Sequence, residues 1–119
     1  MVKLESLKKS NHFKTALKEN KAHTDYFSIF SAKNFIKEKN KNNLTISFVM
    51  KKKIGNAVKR NKIRRKLKAI VIKLLKIKGA INKDYTYIVF GKSKAYVEKH
   101  EILLEAMIKC FNKLNKKNV

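Results

Sequence analysis

A chain of 119 residues with a formal net charge of +23 has room for one domain and repels itself unless a polyanion neutralises it. Its 44% hydrophobic content excludes a wholly disordered chain. No apolar run reaches the ~18 residues of a membrane span, and the opening MVKLESLKKS lacks the apolar centre of a secretory signal. A cytoplasmic protein without a membrane partner is therefore expected. Its one cysteine, Cys110, rules out an intrachain disulfide and a cysteine-based metal site.

In chain order, residues 1–9 read as a flexible end. A short helix is predicted over 11–19, capped by Ser10 or Asn11, with Phe13, Ala16 and Leu17 on one face. The stretch DYFSIFSAKNF, 25–35, is rich in aromatic and β-branched residues and reads as a strand. A polar turn at 37–43 leads to a second strand, 44–50, expected to pair antiparallel with the first because the connection is short. Gly55 breaks that strand, and Asn56 is the N-cap of a long helix. Ile63, Leu67, Ile70, Val71, Leu74 and Ile77 make its apolar stripe, and Gly79 suits a left-handed cap. YTYIVF, 85–90, is the third strand. Ser93 caps a last helix running to about residue 114, with Leu103, Leu104, Met107, Ile108, Phe111 and Leu114 buried. Residues 115–119 read as a second flexible end. The order α-β-β-α-β-α predicts an α+β fold, a single-domain two-layer sandwich with the long helix against one side of the sheet.

Basic residues are spread widely, but arginine is not. Lysine supplies 28 of the 31 basic residues, and Arg60, Arg64 and Arg65 fall within six positions. Between Lys39 and Lys83 there are 16 basic residues and no acidic one. At 100° per residue, with Ile63 at zero, Arg60, Arg64 and Lys68 stand at about 60°, 100° and 140°. They form one flank of the long helix, and Asn61 and Arg65 continue it. Arg60 lies at the edge of the apolar stripe, where its stem can pack while its head reaches outward. Positive charge near a helix N-terminus opposes the dipole, which an anionic partner offsets. Arginine adds what lysine lacks: a planar fork that binds phosphate bidentately and stacks on bases. Lys73, Lys76 and Lys78 read as a solvated basic face.

The segment KKIGNAVKRNKIRRKLK, 52–68, resembles the signature of the bacterial ribonuclease P protein subunit. That signature runs Arg-Asn-x-x-Lys/Arg-Arg-x-x-Arg/Lys after a Lys-Lys-hydrophobic-Gly-x-Ala-Val stretch. Arg60, Asn61, Arg64, Arg65 and Lys68 occupy its positions. Length, charge and element order carry the resemblance over nearly the whole chain, 1–119, as one RNA-binding domain.

The resemblance implies a protein subunit of an endoribonuclease whose RNA component removes the 5′ leader of precursor tRNA with Mg2+. It implies catalytic-RNA contacts at Lys52, Lys53, Asn56, Arg60, Asn61, Arg64, Arg65 and Lys68. It also implies a cleft for the single-stranded leader at Phe13, Leu17 and Phe30, and a left-handed β-α-β crossover. Ribonuclease P RNA and precursor tRNA are the implied partners, and the chain is expected as a monomer in the holoenzyme. No side chain is expected to be catalytic and no metal to be held by the protein. Rings that stack on bases tolerate sequence variation, yet Phe13 and Phe30 suit a core equally well. The chain departs from the family pattern at Lys51, where serine is usual, at Leu17, where a second aromatic is common, and at Gly91, where an arginine is common. The other readings of the charge are a non-enzymatic ribosomal or general RNA-binding protein and a membrane-surface binder, the latter needing an exposed apolar face opposite lysine.

Overall fold

The structure is a computed structural model and describes residues 3–35 and 43–117. The described residues form five strands and three helices in the order β1 (Leu4–Glu5), α1 (Ser10–Ala16), β2 (Asn20–His23), β3 (Phe27–Lys33), β4 (Leu44–Val49), α2 (Ala57–Leu75), β5 (Tyr85–Gly91) and α3 (His100–Lys117). Single 3-10 turns, Lys52–Ile54 and Ser93–Tyr96, precede α2 and α3. The strands form one sheet in the order β1-β4-β5-β3-β2.

The three predicted strands and three helices are present, and the α+β class holds. The pairing differs from expectation. β3 and β4 are not neighbours: β5 lies between them, antiparallel to β3 and parallel to β4. β5 has large apolar residues on both faces, Tyr87 and Val89 on one and Ile88 on the other, all fully buried, and such strands belong at the centre of a sheet. Ten residues separate Lys33 from Leu44. That is more than a tight hairpin uses and enough to pass one strand. The expected polar turn at 37–43 falls almost wholly outside the described residues. β4, α2 and β5 make a parallel crossover unit.

Two short strands were not legible. Leu4 and Glu5 pair in parallel with Leu44 and Thr45, and Leu7 is buried while its N–H donates to Ser47 Oγ at 2.8 Å. Residues 4–7 are thus held against β4, where a flexible end was expected, because β4 leaves its outer edge open to them. Asn20–His23 form the edge strand β2 on β3, so the first helix stops at Ala16 instead of reaching 19. Glu19 instead accepts the Lys33 N–H through Oε2 at 2.9 Å. Lys9, without a side-chain cap, precedes α1, and neither Ser10 nor Asn11 caps it.

One face of the sheet carries the main core. Phe27, Ile29, Ile46, Tyr87 and Val89 meet Ile63, Leu67, Ile70 and Leu74 of α2 and Leu103, Met107, Phe111 and Leu114 of α3. Tyr87 meets Phe111 edge to face at 5.1 Å, and its hydroxyl donates to the Asn82 carbonyl at 3.0 Å. Cys110 is buried in this core. The other face holds a smaller cluster, Leu7, Ala16, Ala32 and Ile88, under α1.

Four helix details correct the periodicity reading. α2 ends at Leu75, so Ile77 lies outside it and is exposed rather than buried. Gly79 has φ +80°, but in the turn closed by the Ala80 N–H on the Ile77 carbonyl at 3.2 Å. It takes the third position, which a type II turn reserves for positive φ. Ser93 opens a separate 3-10 turn and does not cap α3, and Ile108 lies at the margin of the buried face, 37% exposed.

Candidate nucleic-acid interface

Asn56 is the N-cap of α2: its Oδ1 accepts the Lys59 N–H at 2.9 Å. Gly55 makes the corner before it at φ +153° and ψ −163°, a region open almost only to glycine. From that corner α2 buries one side and turns its arginine flank outward. Arg60 is half-buried, as its place beside the stripe required, and its Nε is fully buried without a hydrogen-bond partner among the described residues. Asn61 and Arg64 are coupled directly, Arg64 Nη1 donating to Asn61 Oδ1 at 2.8 Å. That bond aims the Arg64 fork with donors to spare, since a guanidinium carries five N–H groups. Arg65 and Lys68 are exposed.

The opposite flank of α2 is occupied by the protein itself. Lys59 Nζ donates to Ser93 Oγ at 2.7 Å and stands 5.3 Å from the centroid of the Tyr96 ring. Lys62 Nζ stands 4.7 Å from the same ring. Lys66 Nζ donates to the carbonyls of Ala95, Tyr96 and Glu98 at 2.8, 3.0 and 2.7 Å. Burial, and after it the neighbouring charge of Lys62, holds the Lys66 pKa below the usual lysine value, with Glu98 opposing.

A cleft of about 610 Å³ opens on the α1 side of the sheet. Phe30 and Phe90 form its aromatic floor, ring centroids 5.5 Å apart and nearly perpendicular. Leu17, at the C-terminal end of α1, lines it and is 39% exposed. Lys51, Lys53 and Lys92 are its basic residues. Lys51 Nζ lies 5.5 Å from the Phe90 centroid, and Lys92 Nζ donates to the Thr24 carbonyl at 2.6 Å. His23 and Ser28 share a 2.6 Å hydrogen bond at one wall.

The expected site residues therefore divide. Arg60, Asn61, Arg64 and Lys68 share the α2 flank. Lys53 joins Leu17 and Phe30 in the cleft, and Lys52 is exposed on the turn between. Phe13 is half-buried against the small core under α1 and is not a cleft-lining residue. Phe90 and Lys92 were missed. Alternation along YTYIVF did contain the signal, since Ile88 and Phe90 must face away from Tyr87 and Val89. Gly91, at the end of β5, is buried, and a Cβ there would run into Met50 Sδ and lie 2.9 Å from Ile63 Cγ2. A side chain at that position would have to displace Met50 or Ile63.

The ribonuclease P family model matches residues 1–115. The chain belongs to the ribonuclease P protein family. Ribonuclease P membership makes it a protein subunit of that complex and implies an RNA partner in a ribonucleoprotein of tRNA processing. The fold is that of solved relatives. The Staphylococcus aureus RNase P protein superposes with a TM-score of 0.71 at 23% identity, covering 92% of this chain and 94% of that one. The Thermotoga maritima RNase P protein gives 0.63 at 20% identity, covering 84% and 87%. No curated protein matches the sequence. Among the described residues no helix is long and apolar enough to cross a membrane.

Proposed function

We propose that this subunit binds the catalytic RNA through the arginine flank of α2 and holds the 5′ leader of precursor tRNA in the cleft, while the RNA performs the cleavage. The observation that carries the reading is the arginine flank. Arg64 is aimed by Asn61, and Arg60 keeps a buried Nε–H with no acceptor among the described residues. Arg64 keeps donors beyond the bond to Asn61, and a phosphate oxygen is an acceptor of the right charge for a guanidinium fork. The cleft supports the second half: two rings offer faces or edges to unstacked bases, and Lys51 and Lys53 supply charge for the backbone. Asn56 contributes by setting the start of α2, and Lys52 and Lys68 by adding charge on either side.

The protein's part in the reaction is electrostatic. It screens phosphate repulsion, assists RNA folding at low Mg2+ and favours precursor over mature tRNA by leader contacts alone. Mg2+ supplies phosphoryl activation in such a reaction. Among the described residues no three His, Cys, Asp or Glu side chains converge on one point, so the residues present do not fit a protein-held ion. The complex is proposed to contain one copy of the chain and to act in the cytoplasm.

Reconstitution tests this. The chain, the catalytic RNA of the same source and precursor tRNA are combined at low Mg2+. Cleavage should be enhanced well above RNA alone. Equal enhancement by an unrelated protein of similar charge would leave only a general RNA binder.

A further inference from the structure

Lysine has three N–H donors and no more. All three of Lys66 are used, on three carbonyls of the segment that follows β5. This lysine lies within the most basic helix of the chain and yet has no donor left for a phosphate. Its partners begin two residues beyond Lys92 and Ser93, which line the cleft. One turn-pair earlier on α2, Lys59 reaches the same segment at Ser93. The helix that presents the arginine flank is thus fastened to the cleft wall at Ser93 and, through Lys66, to the segment that continues from that wall.

We infer that Lys66 is a positioning residue that joins the arginine flank of α2 to the segment continuing from the cleft wall, so that the two RNA-binding surfaces are held in one fixed relation. The inference rests on the proposed leader-binding role of the cleft. Its chemistry requires a point-like cation. Three carbonyls converging on one nitrogen suit an ammonium, whereas a planar guanidinium spreads its donors in a fork. Lys66→Arg therefore keeps the charge and loses the joint, and Lys66→Met loses both.

Two measurements test it. The first is hydrogen exchange on the free protein, which does not depend on function. Both variants should exchange about tenfold faster across residues 92–98, with the core strands β3 and β5 unchanged. Unaltered exchange there would overturn the joint, leaving the segment held by the buried Ala95 and by Lys59. The second is the preference of the reconstituted holoenzyme for precursor over mature tRNA. It should fall about fivefold or more in both variants, at the low end of ordinary coupling between sites, while Lys66→Arg binds catalytic RNA like the unsubstituted protein. A Lys66→Arg variant with intact precursor preference, beside a weakened Lys66→Met, would reduce the effect to charge and overturn the inference. So would faster exchange with unchanged preference in both. If the unsubstituted protein shows no precursor preference at all, the proposed function fails, and the role of Lys66 in leader positioning fails with it, whereas the exchange result still decides the joint.

Discussion

Two glycines, at 55 and 91, are fixed by different physics. Gly55 is required by its backbone: φ +153° with ψ −163° admits a Cβ only with strain, and the added atom would meet Lys59 Cδ at 2.9 Å. Gly55→Ala should cost about 1–3 kcal/mol, read as a lower denaturation midpoint in urea with an unchanged slope. Gly91 is favoured by packing, since a Cβ there would have to displace Met50 or Ile63. The sequence marks both as departures from strand or helix habit, but the reasons differ, and only the neighbours in space separate them. The same holds for lysine. Lys59, Lys66 and Lys92 bond to protein oxygens, whereas Lys68 and Lys76 are exposed. Counting charge treats them alike, because nothing local to a lysine says which carbonyls its long side chain will reach.

At the scale of one element, α2 was the most legible part of the chain. Its N-cap, its stripe from Ile63 to Leu74 and the half-burial of Arg60 all follow from a 3.6-residue repeat. Its end was misplaced by about two residues, since Ile77 continues the stripe numerically while the backbone has already turned toward Gly79. The arginine flank carries a prediction of its own. Arg64→Ala or Arg65→Ala should weaken binding to catalytic RNA about tenfold, by loss of a charged hydrogen bond. Lys76→Ala, beyond the end of the helix, should weaken it much less. Filter-binding titrations at one fixed salt concentration decide this, and equal losses at all three positions would mean that charge alone acts. The ends of α1 and α3 were misread for a common reason. Short polar residues such as Ser10 and Ser93 look like caps wherever they stand, but Ser93 is occupied by Lys59, and α1 enters through Lys9 without a side-chain cap.

At the scale of the whole molecule, the sheet decides where the sites lie. Placing β5 beside both β3 and β4 brings Phe90 next to Phe30 and puts Lys51 over its ring. The N-terminal segment completes the opposite edge through β1 and Leu7. Leu7→Ala should destabilise by about 2–5 kcal/mol, seen as a lower urea midpoint, even though the residue lies in a segment that reads as a loose end. For the assembled interface, each phosphate neutralised on a single strand should add about 0.7 to the slope of log affinity against log salt. Leader binding by the holoenzyme should show a shallower slope in Lys53→Ala than in the unsubstituted protein, and an identical slope would remove Lys53 from the cleft contacts.

Local properties were set by the sequence itself: the class of fold, the long helix with its cap and stripe, the confinement of arginine to one flank, and a family motif dense enough to name. These depend on neighbours within a turn or two of chain, where periodicity and sterics act directly. Only the tertiary structure decided the strand order, the pairing of residues 4–5 and 20–23, the cleft floor of Phe30 and Phe90, and the saturation of Lys66 by carbonyls about 30 residues away. Hydrogen bonding between strands is the same whichever strand is offered, so pairing is settled by which faces must be buried together. That is a property of the assembled core and of no segment alone.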